Sequence, residues 1–507
     1  MIPDDVRTGR GGALTWARTN IALVVLMISA LLFVAMQIRL LDYYIWNDEA
    51  ETVVTANMMA AGSRLYTQIF NHHGPMTFFT GQLVALAGGG GIVGNRIVIM
   101  ILQWALVAVI LRSVDIPIRA RLFLFLCIAV GLTGPLRDVY AHMYTYQALA
   151  GLCSATIISL LVLPRMTGKV PGFAASLFSG LCLGVLPFLA FTYIPAMVLL
   201  GAAGLSRRTW QPVLIGAAAM TLLSMAYIAI TASFDGFMAY HFYMNLVVLP
   251  PYIGGVPGPL RIIHRWFTGS GKLIGFLSAL FVLGAAWRLY RNEGASPVRI
   301  LLLLLVFASY AVRGRGFHGV TFYYSMLPLA PLFASPLERL FGERPWLGWG
   351  MIVILLAKLS GLAPVDVEDL REHSISKPRA FPLVVDAYTK PEDRVISYSF
   401  NNFDYLAAHR LPASSHFFYL PWQPVYNRHP YLGVKSDACA EIAAYRPKFI
   451  QLDRWKVFDQ YSWESYAACI DRLVARDYHQ LPGTIIYARN DIRVAPGIAK
   501  AAAALSE

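Results

Sequence analysis

Long apolar segments dominate this sequence and limit what it can fold into. The first of them, residues 20–41, is long enough to cross a bilayer as a helix, which takes about 20 apolar residues. The chain of 507 residues is 57% hydrophobic and only 14% charged, whereas soluble proteins carry about 25% charged residues. These features predict a polytopic α-helical membrane protein. The net charge of +13 does not indicate nucleic acid binding, because the basic residues fall in short clusters between apolar segments.

The positions of the basic residues predict the orientation of the chain. Arg7, Arg10 and Arg18 precede the first span, so the N-terminus is expected on the cytoplasmic side. Residues 42–94 then form a large outer loop with amphipathic helices, in which residues 76–91 are too short for a span and are expected to form an interfacial or re-entrant helix. The eleven predicted spans lie near residues 20–41, 95–112, 119–135, 143–163, 172–190, 192–204, 211–231, 272–290, 298–312, 319–335 and 346–363.

One pair of these segments allows an alternative topology. Residues 172–190 and 192–204 are short and contain Pro187 and Pro195, so they could form a single tilted helix. A single helix would place every later loop, and the C-terminal domain, on the opposite side of the membrane. The distribution of basic residues favours two spans.

The composition changes after the last apolar segment. Residues 1–363 form the predicted membrane domain, and residues 364–507 have the composition of a soluble α/β domain. Strands are predicted at 394–400, 448–453 and 483–489, and helices at 435–446 and 458–477. On the predicted topology this domain is extracytoplasmic.

The five cysteines fall into two groups. Cys439 and Cys469 lie in the C-terminal domain, where they could form a disulfide if that domain is extracytoplasmic. Cys127, Cys153 and Cys182 lie in apolar segments and are expected to be inert core residues.

Two adjacent acids, Asp48 and Glu49, follow the first span directly. The simplest interpretation is a helix N-terminus, in which Asn47 or Asp48 caps a helix over residues 49–61. Capping needs only one acid, however. A carboxylate that has an acidic neighbour and lies at the membrane surface is a stronger base than one in water. We therefore predict that Asp48 and Glu49 are the catalytic residues, with Asp48 as the general base and Glu49 as its neighbour.

The outer loop continues to a pair of histidines, His72 and His73, which are followed by Gly74 and Pro75. Adjacent side chains in an extended segment point apart, so a metal ion shared by the two histidines is disfavoured. A divalent metal near Asp48 and Glu49 is disfavoured too, since a second well-placed acid is missing. We expect no cofactor and no metal, and we predict that both histidines hydrogen-bond to a phosphate group.

A basic cluster, Arg313 and Arg315 with His318, lies at the predicted outer end of a span. Arginines on the outer side oppose the usual charge bias, so an anion is expected to hold them. Guanidinium groups suit phosphate oxygens in bidentate geometry. We predict that Arg313 and Arg315 bind phosphate.

Weaker candidates for the substrate pocket occur elsewhere in the outer loops. Aromatic belts at membrane interfaces explain many such residues without any function. The candidates are Tyr66, Arg137, Asp138, His142, Gln147, His241 and His318.

The order of these motifs resembles the first outer loop of GT-C glycosyltransferases. The loop has an acidic pair, an amphipathic helix, a Gly-x-x-x-Tyr motif from Gly62 to Tyr66, a Gly74-Pro75 pair and an apolar helix. It is most similar to the lipid A aminoarabinose transferase (ArnT), protein O-mannosyltransferase and RgtA/B/C/D-like groups. The basic cluster before Tyr323-Tyr324 and the soluble C-terminal part also look like parts of these proteins.

The resemblance implies a GT-C-like fold and an inverting transfer from a polyprenyl-phosphate sugar, with Asp48 as the catalytic carboxylate. It implies a multi-pass protein of the bacterial inner membrane, whose active site and C-terminal domain are periplasmic. Three positions depart from the family pattern. Gly74 stands where the family often has a lysine, Gln147 where it often has an acid, and residues 190–193 where it often has a lysine. Asp138 is a candidate to replace the missing acid.

The expected partners are a polyprenyl-phosphate-linked sugar donor, the lipid bilayer and an acceptor that is a lipid, a glycan or a protein.

Two other functions use the same features. A flippase or transporter of lipid-linked sugars needs the basic pocket but no base, and charged residues deep inside the spans are its mark. A non-catalytic subunit of a polysaccharide assembly complex would not need Asp48.

Overall fold

The computed structural model describes residues 7–113, 115–138, 140–253, 272–292, 294–312, 318–362, 371–400 and 402–506. Helices make up nearly all of the N-terminal part. They are α1 (Arg7–Leu40), α2 (Asn47–Ala60), α3 (Met76–Leu86), α4 (Ile92–Arg112), α5 (Ile118–Asp138), α6 (Tyr146–Ile157), α7 (Leu163–Met166), α8 (Phe173–Leu189), α9 (Ile194–Gly204), α10 (Trp210–Thr231), α11 (Phe234–Gly236), α12 (Pro250–Ile253), α13 (Lys272–Tyr290), α14 (Pro297–Val312), α15 (His318–Met326), α16 (Ala334–Glu343) and α17 (Pro345–Leu362). Segments of π-helix (Ile158–Val162 and Phe237–Val248) and of 3₁₀-helix (Phe191–Tyr193 and Leu327–Phe333) continue several of them.

Several of these helices can cross a membrane. Four helices of the described part are both long and apolar enough: Asn20–Leu40, Ile92–Arg112, Tyr146–Met166 and Trp210–Thr231. Gly319–Glu343 and Pro345–Ser360 add a fifth span if the pair, bent by 119°, is counted as one. Shorter apolar helices are Met76–Leu86, Phe173–Leu189, Phe191–Gly204, Phe276–Tyr290 and Pro297–Tyr310. The chain is thus a multi-pass helical membrane protein, and the number of eleven spans stays a prediction.

The apolar segment around Pro187 and Ala190 forms two helices, as predicted. Pro187 lies inside α8, which ends at Leu189, and Ala190 adopts an extended backbone with φ −155° and ψ 134°. The chain then resumes through a 3₁₀ turn into α9. This break leaves the carbonyl of Leu189 free to accept hydrogen bonds from the outer loop, from the Gly74 N–H at 3.0 Å and the Thr77 hydroxyl at 3.0 Å.

The C-terminal part contains a four-stranded sheet packed with helices. The strands are β1 (Ile396–Tyr398), β2 (Phe449–Leu452), β3 (Tyr478–Gln480) and β4 (Ile486–Arg489). Strand β1 pairs in parallel with β2, while β2 and β3 each pair antiparallel with β4, in the order β1-β2-β4-β3. The helices are α18 (Ala380–Tyr388), α19 (Phe403–Ala407), α20 (Trp422–Arg428), α21 (Ala438–Tyr445), α22 (Ala468–Asp477) and α23 (Pro496–Ala504), with 3₁₀ turns at Tyr431–Gly433 and Trp463–Ser465.

The predicted strands and helices of this part largely agree with the structure. All three predicted strands exist, each within its predicted range. The helix predicted at 458–477 begins only at Ala468, and the chain before it forms a short 3₁₀ turn. Cys439 and Cys469 form a disulfide, a pairing that the sequence left open, and it links α21 to α22. The predicted boundary at residue 364 lies outside the described residues.

The C-terminal part contacts the outer loop that follows α1. The side-chain amide of Asn402 donates to Oδ1 of Asn47 at 2.9 Å, directly beside Asp48. The Phe70 N–H donates to the carbonyl of Ser415 at 2.9 Å. The C-terminal part and the outer loop therefore lie on the same side of the helical part, as the predicted topology requires.

Candidate active site

Helix α2 carries the acidic pair and begins two residues earlier than predicted. Its N-cap is Trp46, which has an extended backbone and no side-chain capping bond, so the predicted cap by Asn47 or Asp48 is wrong. Asp48 and Glu49 instead occupy the first turn. Acids in this turn are stabilised by the positive end of the helix dipole.

Asp48 lies in a partly exposed position at the start of this helix. Nε2 of Gln147, in the first turn of α6, lies 3.4 Å from Oδ2 of Asp48. Burial of the carboxyl raises the pKa of Asp48 from 3.8 to about 6, although hydrogen bonds from Gln147 and Trp46 act in the opposite direction. A carboxylate with this pKa is mostly ionised at neutral pH and is a stronger base than an ordinary aspartate.

Glu49 points to a different partner, the guanidinium group of Arg96. The two side chains are fully buried and form an ion pair, with Arg96 Nε 2.9 Å from Oε1 of Glu49. The backbone N–H of Tyr144 also donates to Glu49 Oε1, at 2.9 Å. Glu49 therefore connects the start of α2 to α4 and to the segment before α6, and its oxygens are already occupied.

Arg96 also holds the end of α1. Its guanidinium group donates to four backbone carbonyls at the end of α1 and in the turn that follows it, those of Leu40, Leu41, Tyr43 and Tyr44. Unsatisfied carbonyls at a buried helix end are costly. Arg96 satisfies them and Glu49 together, so it determines where the chain leaves α1 and enters α2.

A third acid, Glu51, lies one turn after Asp48 and is buried. Burial raises the pKa of Glu51 well above its usual value, and the nearby charge of Asp48 adds to this effect. Nε2 of His73 lies 3.6 Å from Oε1 of Glu51.

Burial also lowers the pKa of His72 to about 4 and that of His73 well below its ordinary value. Both imidazoles are therefore neutral at pH 7.

His72 and His73 do not point apart. Their ring centroids are 4.3 Å from each other, so the prediction of divergent side chains is wrong. The reason is that the backbone of this loop is held from several sides. The Tyr66 hydroxyl donates to the carbonyl of His73 at 2.7 Å, and the side-chain amide of Asn245 donates to the carbonyl of His72 at 2.8 Å.

Gly74 follows this pair because the loop backbone lies directly against the end of α8. A Cβ atom at Gly74 would lie 2.0 Å from the carbonyl oxygen of Phe188. A side chain at Gly74 would require one of the two backbones to move. This close contact explains why Gly74 stands where the resemblance leads one to expect a lysine.

The other described candidates are buried in the protein interior. Tyr66 and His241 are fully buried, and a ring nitrogen of His241 lies 2.9 Å from the carbonyl oxygen of Pro187. The ring nitrogens of His142 lie 2.5 Å from the carbonyl oxygen of Leu136 and 3.3 Å from that of Tyr43. These contacts indicate structural roles. Among those weaker candidates whose side chains the structure describes, Gln147 is the one that hydrogen-bonds to Asp48.

The remaining candidates lie at helix ends or outside the described part of the chain. Arg137 and Asp138 end helix α5, and His318 begins α15. Their side chains lie outside the described residues, as do Arg313 and Arg315 as a whole.

Sequence reasoning missed two residues of this site, Arg96 and Glu51. A signal for each was present. Apart from Arg112 at its end, Arg96 is the one charged residue in the apolar segment 92–112, and a buried charge in such a segment needs a partner. Glu51 follows Asp48 by three residues, a spacing that puts both on one face of a helix.

Comparisons with known proteins support the fold. No protein-family model matches the chain, and no curated protein matches it in sequence. The crystal structure of ArnT from Cupriavidus metallidurans bound to undecaprenyl phosphate is similar, with a TM-score of 0.51, 12% sequence identity, and coverage of 80% of this chain and 86% of that one. The chain has the fold of ArnT. The apo structure of that ArnT matches with a TM-score of 0.49, at 13% identity and with coverage of 80% and 87%.

Proposed function

We propose that this protein is a membrane glycosyltransferase that moves a sugar from a polyprenyl-phosphate carrier to an extracytoplasmic hydroxyl of a lipid, glycan or protein. The observation that carries the proposal is the environment of Asp48, a partly exposed carboxyl whose pKa burial raises to about 6. The similarity to the ArnT fold supports it. The proposed location is the inner membrane of a bacterium, with Asp48 on the periplasmic side.

The proposed reaction needs one base and one site for the leaving group. The Asp48 carboxylate takes the proton of the acceptor hydroxyl while that oxygen attacks the anomeric carbon of the sugar. The bond from this carbon to the phosphate oxygen breaks, and polyprenyl phosphate leaves with the electron pair. Attack from the side opposite the phosphate inverts the anomeric centre. No metal or cofactor is required for this step.

The residues around Asp48 then take separate roles. Gln147 orients the carboxylate through its amide at 3.4 Å. Glu49, with its partner Arg96, holds the first turn of α2 in place and does not contact the reacting atoms. Arg313 and Arg315 stabilise the charge on the leaving phosphate, a role for which guanidinium groups are suited.

Deletion of the gene, followed by mass spectrometry of the membrane lipids, tests the proposal even while the identity of the sugar is open. We expect one polyprenyl-phosphate sugar to accumulate in the deletion strain, because its consumption stops. Wild-type protein should restore the normal lipid profile, and the Asp48→Asn variant at equal abundance should not. A flippase or a non-catalytic subunit needs no base, so full restoration by Asp48→Asn would exclude the transferase.

The raised pKa of Asp48 predicts the pH dependence of the transfer. A general base acts in its deprotonated form, so kcat/KM should fall by about one log unit per pH unit below about pH 6 and level off above about pH 7. The titratable groups nearest to Asp48 on the same helix are Glu49 and Glu51. The measurement is the initial rate of sugar transfer in detergent across this pH range. A profile that stays flat down to about pH 4 would contradict the raised pKa of Asp48.

A further inference from the structure

Glu51, His72 and His73 form a cluster next to Asp48 that the proposed reaction does not use. A carboxylate oxygen of Glu51 and one ring nitrogen of each histidine all lie within 4.8 Å of one another. Glu51 is 4% exposed and His73 is 8% exposed, so the cluster lies in the protein interior. Three potential metal ligands thus face a common volume.

Two of these polar atoms have no hydrogen-bond partner among the described residues. They are Oε1 of Glu51 and Nδ1 of His72, and both are buried. The distance of 3.6 Å between Glu51 Oε1 and His73 Nε2 is too long for a hydrogen bond. Buried polar atoms without partners are rare and call for an explanation, such as a bound ion. A cation between these atoms would satisfy all of them.

The loop that carries the two histidines is fixed before any ion binds. The carbonyls of His72 and His73 accept hydrogen bonds from Asn245 and Tyr66, and the His73 N–H donates to Oδ1 of Asn71 at 2.9 Å. The side-chain amide of Asn71 in turn donates to the Thr55 hydroxyl at 3.0 Å. Metal sites depend on such outer contacts, which orient the ligands.

We propose that Glu51, His72 and His73 bind a divalent transition-metal ion, with zinc as the preferred ion. Two imidazoles and one carboxylate are a donor set for zinc and related metals, whereas magnesium and calcium prefer oxygen ligands alone. Ligand atoms in a tetrahedral zinc site lie roughly 3.4 Å apart, given bonds of about 2.0–2.2 Å. The distance between Glu51 and His73 is already close to this value. Three protein ligands leave a fourth position open to water or another oxygen ligand.

This site replaces the direct contact of the two histidines with phosphate that the sequence suggested, and it departs from the expectation that no metal binds. The expectation rested on two premises, divergent histidines and the lack of a second well-placed acid. The rings lie 4.3 Å apart, and Glu51 is the acid. The inference does not depend on the transferase activity.

Zinc binding to the full-length protein tests the inference directly. The protein is purified in detergent without a histidine tag, stripped of metal with a chelator and titrated with zinc by calorimetry. We expect one tightly bound zinc ion per chain and no comparable heat with magnesium. X-ray absorption at the zinc edge should show two imidazole nitrogens and a carboxylate oxygen in the wild-type protein. Absence of zinc binding, or preference for magnesium, would overturn the inference.

Near-isosteric variants identify the ligands. Glu51→Gln and His72→Gln should each weaken zinc binding by at least about 100-fold, the upper end of the loss when only an outer contact is removed. His479→Gln is the control, since His479 is exposed in the C-terminal part, and it should retain wild-type affinity. Zinc binding that survives both Glu51→Gln and His72→Gln would place the ion elsewhere and refute the assignment.

Discussion

Asp48→Asn is expected to reduce sugar transfer by about 10²–10⁴-fold, the usual contribution of a general base. The asparagine side chain has nearly the same shape and can still contact Gln147, so donor binding should change little. The substrate is the polyprenyl-phosphate sugar that accumulates in the deletion strain. The measurements are its rate of consumption by the purified variant and its affinity, read from the thermal stabilisation that it produces.

The expected loss of transfer in Asp48→Asn cannot come from unfolding, because the pKa of Asp48 is raised in the folded protein. The pKa of Asp48 is higher in the folded protein than its ordinary value of 3.8, so this carboxyl lowers the free energy of unfolding progressively as the pH rises from about 4 to about 6, and the full cost is present above about pH 6. A neutral amide removes that cost, and Asp48→Asn should therefore melt at or above the wild-type temperature at pH 7.

A matched control lies in the same outer loop. Asp42 accepts hydrogen bonds from Ser374 and Ser376, and Asp42→Asn removes one carboxylate charge from the loop without touching the candidate site. We expect nearly wild-type transfer from this variant. Equal losses in Asp42→Asn and Asp48→Asn would indicate a general effect of charge, and the role of Asp48 as base would have to be abandoned.

The local part of the candidate site could be predicted from the sequence, since it depends on neighbours along the chain. An acidic pair after an apolar span predicts a polar helix start at the membrane surface, and α2 begins at Asn47. Alternating apolar residues predict strands, and β1, β2 and β4 lie where they were expected. Strand β3 was missed because Tyr478 follows α22 directly, without a turn signal between them.

The long-range part could not be predicted in the same way. Glu49 and Arg96 are separated by 47 positions, and only the packing of α2 against α4 brings them together. The rings of His72 and His73 converge because Tyr66 and Asn245 hold their backbone. Local periodicity contains no information on such contacts. The sequence therefore led to a catalytic role for Glu49 and to the prediction that the side chains of the two histidines point apart.

Arg96→Ala is expected to have the largest effect on stability. Removal of one partner from a buried ion pair costs about 3–5 kcal/mol, because the other charge stays buried without compensation. Glu49 would retain only the N–H of Tyr144 among its donors in the described part of the chain, and the carbonyls at the end of α1 would lose their common donor. The thermal unfolding of the detergent-solubilised protein, followed by intrinsic tryptophan fluorescence, measures this change.

Two further variants separate the ion pair from the general effect of losing an arginine. Arg112 lies at the other end of α4 and is exposed, so Arg112→Ala should change the free energy of unfolding by no more than about 0.5 kcal/mol. The double variant that combines Glu49→Gln with Arg96→Ala leaves no unpaired charge at this position. This double variant should therefore be more stable than Arg96→Ala alone. If the double variant instead loses the sum of the two single losses, the two residues are energetically independent. The start of α2, and with it Asp48, would then be positioned by other contacts.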